Sequence, residues 1–350
     1  MKRKMLATIA LSTALLLTAA GCGGAKEENA GSSSPTNTST SESPAATNYS
    51  IGISQYAPHP SLDATKEGFL AALKDAGIVE GENLKIDDNN AQGESSNNLS
   101  IAQKFGSEKF DLVLGIATPS ALALADNVKD KPVLFAAVTD PLDAQIVSDL
   151  DKPGGNITGA SDSNPAAITQ LMDFIAENFS TVKSVGVVIN EGESNSVIMA
   201  KQAETALAAH DIKLVKAPVT NTSEVQQAAQ SLVGRADAIY ITLDNTVVSA
   251  VDAIIKVAAD NKLPFFSSDR DTVEAGAFAT VGFKYYDHGY QVGQMAVDIL
   301  KNGKNPGDMK ITIPDKLDLI LNLKAAEAFG ITVTDAMKEK VQDKENNIIQ

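Results

Sequence analysis

Tryptophan is absent from the 350 residues, cysteine occurs once, and aromatic residues make up only 5%. A single cysteine excludes a disulfide framework. The three histidines, His59, His210 and His288, stand at spacings that fit no metal site, so neither metal nor cofactor is expected. His59 sits in a proline-flanked loop on the predicted ligand side of its sheet, where a ligand contact is open to it; His210 at a helix end and His288 on a helix face are expected in solvent. No Gly-x-Ser-x-Gly elbow and no phosphate-binding Gly-rich loop ending in Gly-Lys-Ser/Thr occurs, which removes the commonest hydrolase and nucleotide signatures. Basic residues are also scarce: 29 Lys and Arg face 44 Asp and Glu, a net charge of −15. Nucleic acid phosphates would be repelled, so no nucleic-acid partner is expected.

What is present begins at the N-terminus. Lys2, Arg3 and Lys4 precede a short apolar run, Met5 to Ala20, of signal-peptide length and too short for a comfortable membrane span. The run ends in "TAAGC", and its Cys22 resembles the lipidated cysteine of a bacterial lipoprotein signal, with Ala19 where leucine is usual. The expectation is a signal peptide over 1–21 and a diacylglycerol anchor on Cys22, holding the chain on the extracytoplasmic face of the cell membrane. Loss of the three cations takes the net charge from −15 to −18. Residues 22–47, rich in Ser, Thr, Gly and Ala, bury too little to fold and read as a tether. No later stretch is apolar and long enough to span.

The remainder writes one plan twice. "IGISQYAPHPSLDATKEGFLAALKDAGI" from Ile51 aligns without a gap on "VGVVINEGESNSVIMAKQAETALAAHDI" from Val185, with Gly52 on Gly186 and Leu73 on Leu207. "DLVLGIATPSALAL" from Asp111 likewise matches "DAIYITLDNTVVSA" from Asp237. Apolar spacing predicts helices over Ser61–Ala76, Ser95–Lys109, Ser120–Val128, Pro165–Asn178, Ser223–Val233, Thr246–Ala259 and Tyr285–Lys301, alternating with strands. Alternation implies parallel sheets with right-handed crossovers, and repetition implies two similar doubly wound α/β lobes. Lobe one takes 48–160 and 283–305, lobe two 161–282 and 318–350, and 306–317 forms a third crossing of the hinge.

In open α/β sheets ligands sit beyond the carboxyl ends of strands, against helix N-termini. Those ends are Ser54-Gln55-Tyr56, Thr118-Pro119-Ser120 and Thr139-Asp140 in lobe one. In lobe two they are Asn190-Glu191, Asp244-Asn245 and Ser267-Ser268-Asp269. Hydroxyls on one lobe suit a carboxylate and carboxylates on the other suit an ammonium, a division that fits a zwitterion. The same residues are ordinary helix caps when taken singly; their convergence on one edge is what favours a site.

"VTDPLDAQIVSDLDKPGGNITGASD", "LDNTVVSAVDAIIKVAADNKLPFFSSD", "GFKYYDHGYQVGQMAVDILKNGKNP" and "LNLKAAEAFGITV" resemble the tryptophan/tyrosine-type substrate-binding proteins of ABC transporters. The resemblance runs from Tyr49 to Val333. It implies a periplasmic-binding-protein-like fold of type I, two lobes on a three-strand hinge, a monomer that captures a small solute and delivers it to an ABC permease, and no enzyme activity. By the same resemblance Ser161-Asp162 and Glu193-Ser194-Asn195-Ser196 join the cleft edge. Asp244, with Asp269 and Asp162 as alternatives, would hold the ammonium, Thr118, Ser120 and Ser196 the carboxylate, and Tyr56 and Gln55 the side-chain wall. An occupancy sensor for a signalling receptor, and a lipid-anchored hydrolase using Asp140 and Asp269, remain open as alternatives.

Overall fold

The computed structural model describes residues 48–350; the expected signal segment, Cys22 and the tether lie outside the described residues. The first lobe starts with β1 (Tyr49–Gln55), α1 (Pro60–Asp75), β2 (Leu84–Asn90) and α2 (Ser95–Ser107). It continues with β3 (Leu112–Ile116), α3 (Thr118–Asn127), β4 (Val133–Val138) and β5 (Ile157–Ser161). The second lobe follows with α4 (Pro165–Asn178), β6 (Ser184–Asn190), α5 (Ser194–Ala208), β7 (Lys213–Val219) and α6 (Val225–Leu232). Next come β8 (Ala238–Ile241), α7 (Asn245–Val248), α8 (Val251–Asn261), β9 (Phe265–Ser267), α9 (Arg270–Ala275) and β10 (Ala279–Gly282). Helix α10 (Tyr285–Asn302) returns to the first lobe, and β11 (Asp318–Asn322), α11 (Leu323–Phe329), α12 (Asp335–Glu339), α13 (Lys344–Asn347) and β12 (Ile348–Ile349) complete the second.

The first sheet is parallel with order β2-β1-β3-β4-β5. The second carries the same order, β7-β6-β8-β9-β10, extended by β11, antiparallel to β10, and by β12. The fold is therefore two parallel-sheet α/β lobes of one design. The repeated residues do the same work in each. Asp111 accepts the backbone N–H of Ser50 at 2.7 Å, and Asp237 accepts that of Ser184 at 2.9 Å, so each carboxylate pins the start of its lobe's first strand. A Cβ on Gly52 would meet the Phe105 ring of α2 at 2.9 Å, and one on Gly186 would meet Leu232 of α6 at 2.7 Å. Helix and sheet are that close in both lobes because the strand offers no side chain there.

Three crossings join the lobes, after β5, between β10 and α10, and ahead of β11. The last is held to the first by a parallel bridge between Thr312 and Ala160 and by the Thr158 hydroxyl and Asn164 amide, which donate to the Met309 and Pro314 carbonyls. Helix α10 locks onto α1 through backbone: a Cβ on Gly289 would fall 1.9 Å from the Thr65 carbonyl oxygen. Two sequence expectations are corrected. The single helix over Thr246–Ala259 is broken into α7 and α8, where the Ser249 hydroxyl bonds back to the Asn245 carbonyl at 2.7 Å, a contact that bends helices. His288 is not solvated: it is buried, and its Nε2 accepts the Ala137 N–H at 3.0 Å. Strand β4 shifts register beside that residue, and the freed N–H needs a buried acceptor. The ring is held neutral, its pKa lowered to about 4 by burial. His210 is exposed, as expected, and faces Asp173 at 2.6 Å. No helix of the described residues is long and apolar enough to cross a membrane.

Candidate functional site

The carboxyl ends of β1, β3 and β4 in lobe one face those of β6, β8 and β9 in lobe two. Between them lies a narrow gap, lined by His59, Leu62, Thr118, Ala137, Thr139 and Asp162, by Asn195, Leu243, Asn245, Val248 and Asp269, and by Tyr285. The lobes are closed over it. The Ser61 hydroxyl at the start of α1 donates to Asp269 Oδ2 across the gap at 2.5 Å, and His59 Nε2 stands 3.3 Å from Asn245 Oδ1.

Six expected residues line the gap: Thr118, Thr139, Asn245 and Asp269 from the strand ends, and Asp162 and Asn195 from the resemblance. Backbone geometry puts the first two there. Ala117 at φ 80° and Ala137 at φ 54° hold the left-handed region that alanine avoids, and they turn the chain at the ends of β3 and β4. The Thr118 Oγ1 then accepts the Thr139 N–H at 3.2 Å, which leaves its own hydroxyl proton to donate. Asp269 caps α9, accepting the N–H groups of Asp271 and Thr272, and spends its other oxygen on Ser61.

Asp162 is the carboxylate with an oxygen to spare. Its Oδ2 accepts the Tyr285 hydroxyl at 3.1 Å, while its buried Oδ1 has no hydrogen-bond partner among the described residues. Burial raises its pKa from 3.8 to about 7, against the lowering effect of the Tyr285 and Thr139 hydroxyls. Asn195 gives its Nδ2 to the Leu243 carbonyl at 2.7 Å and leaves its Oδ1 unpartnered as well. Two acceptor oxygens without donors, in a lining that holds no Lys or Arg, make a place for a cation.

The other expected residues lie behind the lining. Asp244 is fully buried and caps α7, receiving Val247 N–H at 3.1 Å, Asn190 N–H at 2.6 Å and the Ser196 hydroxyl at 2.7 Å. Burial first, then the neighbouring Glu193 carboxylate, push its pKa up. Ser196 is committed to Asp244 and Thr242. Ser120 donates to Asn98 Oδ1 at 2.9 Å and meets Ser54 at 3.4 Å, and the Pro119 carbonyl accepts from Asn98 Nδ2. Gln55 reaches Asp63 and the Ala57 carbonyl, while Tyr56 reaches the Gly93 carbonyl. Ser161 donates to the Thr139 carbonyl and Ser267 accepts the Asp269 N–H. Asp140 caps its own turn through Leu142 and Asp143, so the carboxylate pair imagined for a hydrolase is not assembled: Asp269 lines the gap and Asp140 does not.

The lining also holds residues that strand-end logic passes over. Leu62, Val248 and Tyr285 come from helix faces, and Leu243 and Ala137 from strand ends. The helix apolar residues continue stripes whose other members are core, so nothing in the sequence separates them. His59, expected from sequence in a proline-flanked loop on the cleft side and open to a ligand contact, is buried in the lining.

The family model for ABC transporter substrate binding proteins matches residues 50–344. A tyrosine-binding protein of Clostridioides difficile is 40% identical over 281 residues, which is 80% of this chain and 81% of that protein. A Streptococcus pneumoniae ABC domain solved with L-Trp superposes with a TM-score of 0.80 at 32% identity, covering 85% of this chain and 99% of that one. The ligand-free, open structure of a Clostridium difficile substrate-binding protein with adhesive properties gives only 0.63, although its identity is higher at 37%, with 86% and 98% covered. The lower score against the ligand-free, open structure, despite its higher identity, agrees with the closed cleft here. By fold, by the length of the match and by the closeness of these relatives, the chain belongs to the ABC transporter substrate-binding protein family.

Proposed function

We propose that the protein captures a zwitterionic amino acid with a large side chain, tyrosine or tryptophan, in the cleft and delivers it to an ABC permease. The observation that carries this reading is the pair of unpartnered acceptors, Asp162 Oδ1 and Asn195 Oδ1, in a gap that also offers the Thr118 hydroxyl and an apolar wall of Leu62, Leu243 and Val248. The acceptors take the ammonium, the neutral donors take the carboxylate, and the wall takes the side chain. The tyrosine-binding relative and the L-Trp complex support the choice of amino acids. The cleft runs no reaction on its guest. A diacylglycerol on Cys22 keeps the protein on the extracytoplasmic face of the membrane, where it meets the permease as a monomer.

A thermal-shift panel of amino acids, dipeptides and sugars tests this. Ligand at 100 times its Kd adds about 2.7 kcal/mol of stability, so tyrosine or tryptophan should raise Tm clearly while sugars leave it unchanged. Because the chain has no Trp, bound tryptophan can be followed by its own fluorescence. A panel in which no amino acid raises Tm overturns the proposal.

A further inference from the structure

A line of hydrogen bonds runs from lobe two to lobe one and ends on a bare nitrogen. Glu193 accepts the N–H groups of Asn245 and Thr246 at 3.1 and 3.0 Å, the Thr246 hydroxyl at 2.8 Å and the Asn245 amide Nδ2 at 2.6 Å. A carboxylate ringed by donors only accepts, so Asn245 turns its NH2 toward Glu193 and its Oδ1 away. That Oδ1 faces His59 Nε2 at 3.3 Å. An amide oxygen also only accepts, so the His59 proton sits on Nε2. Burial pushes the His59 ring below its ordinary pKa, so it is neutral at pH 7 and has no second proton. Its Nδ1 is therefore a lone-pair acceptor, buried and without a partner among the described residues.

Aliphatic residues stand beside the polar ones in the gap that His59 lines. Leu62 lies three residues beyond His59, and Val248 three beyond Asn245, and all four line the gap; three-residue spacing puts each pair on one face. With Asp162 and Asn195 assigned to the ammonium, the His59 acceptor and the aliphatic residues Leu62 and Val248 are left to match an apolar side chain that carries one N–H or O–H.

We propose that His59 Nδ1 accepts a hydrogen bond from the ligand's side chain and so selects tyrosine or tryptophan over amino acids of similar shape without that donor. This rests on the amino-acid reading of the cleft. His59 belongs to lobe one and Asn245 to lobe two, so the tautomer is fixed only as the lobes close. Discrimination is then exercised in the closed state, and a ligand that leaves Nδ1 unpaired loses affinity there.

The test is calorimetric titration of two matched pairs: tyrosine against phenylalanine, and tryptophan against 3-benzothienylalanine, which exchanges the indole N–H for sulfur. The wild type should favour the donor-bearing member of each pair by roughly 10- to 100-fold, the range for an unsatisfied buried group. His59→Leu should bring each pair within about threefold while phenylalanine binding is kept. His59→Gln, which can donate to Asn245 and accept from the ligand, should restore part of the preference. In the liganded wild type, a long-range proton–nitrogen NMR spectrum should show His59 with its proton on Nε2; the protein has only three histidines, and His59→Leu assigns the signal. Equal binding within the pairs, discrimination that survives His59→Leu, or a proton on Nδ1 each overturns the assignment. Absence of any amino-acid binding is a different result: it removes the reading of the cleft, and this assignment with it.

Discussion

Asp162→Asn should weaken binding of the amino acid without weakening the ligand-free fold. In the closed cleft the Asp162 proton leaves at about pH 7 instead of 3.8. At 1.36 kcal/mol per tenfold, holding the ionised carboxylate there costs about 4 kcal/mol, because burial strips it of water and one oxygen has no donor among the described residues to replace it. A ligand ammonium supplies that donor. The isosteric amide removes the charge; with its Oδ1 kept on the Tyr285 hydroxyl, it turns an NH2 to the place the ammonium would take. The lost charge-assisted hydrogen bond is worth about 1.5–3 kcal/mol, a rise in Kd of roughly 10- to 150-fold. Over the same substitution the ligand-free Tm at pH 8 should hold or rise, since an uncompensated buried charge is gone. Calorimetry and thermal unfolding on one preparation read both effects. Unchanged affinity with a lowered Tm would show that Asp162 is a structural carboxyl and refute the reasoning.

Protonation gives a second prediction. Asp162 and Asp271 both have pKa values raised by burial to about 7, so the closed form binds more protons than a form in which they are solvated. The stabilisation this gives closure is complete below about pH 4 and is lost as pH rises through about 7. Small-angle scattering of the ligand-free protein should therefore show a larger radius of gyration at pH 8.5 than at pH 5.5, and a pH-independent radius would count against it. Ser61→Ala strips Asp269 Oδ2 of its cross-cleft donor among the described residues. Closure should lose about 1–3 kcal/mol, seen in stopped flow as tryptophan leaving faster, and an unchanged off-rate would show the contact to be idle. Gly289→Ala forces a methyl to within 1.9 Å of the Thr65 carbonyl oxygen. A cost of about 1–3 kcal/mol or more in thermal unfolding follows, and an unaltered Tm would mean that α1 and α10 can part freely.

Much of the fold could be read in advance because its repeat is written in residues that act locally. Asp111 and Asp237 pin strands, and Gly52 and Gly186 admit helices, at matched positions. The site was legible only to the level of strand ends. At each end neighbouring side chains point different ways, and sequence does not say which faces the gap. Asp244 and Asn245 show this: the carboxylate turns back to cap α7, and the amide beside it lines the cleft. Ser120 and Ser196, expected as ligand donors, are held by Asn98 and Asp244 from other elements. His288 was placed in solvent because its burial depends on an N–H freed at the distant Ala137. The apolar wall left no mark at all, since Leu62 and Val248 satisfy the same periodicity as residues that face the core.

A crystal structure of the protein grown with L-tyrosine or L-tryptophan is the measurement closest to the central claim. It should show the amino acid between the lobes, its ammonium within about 3 Å of Asp162 Oδ1 and its carboxylate toward Thr118. An amino acid bound elsewhere, or held in the cleft with its ammonium turned from Asp162, would contradict the account.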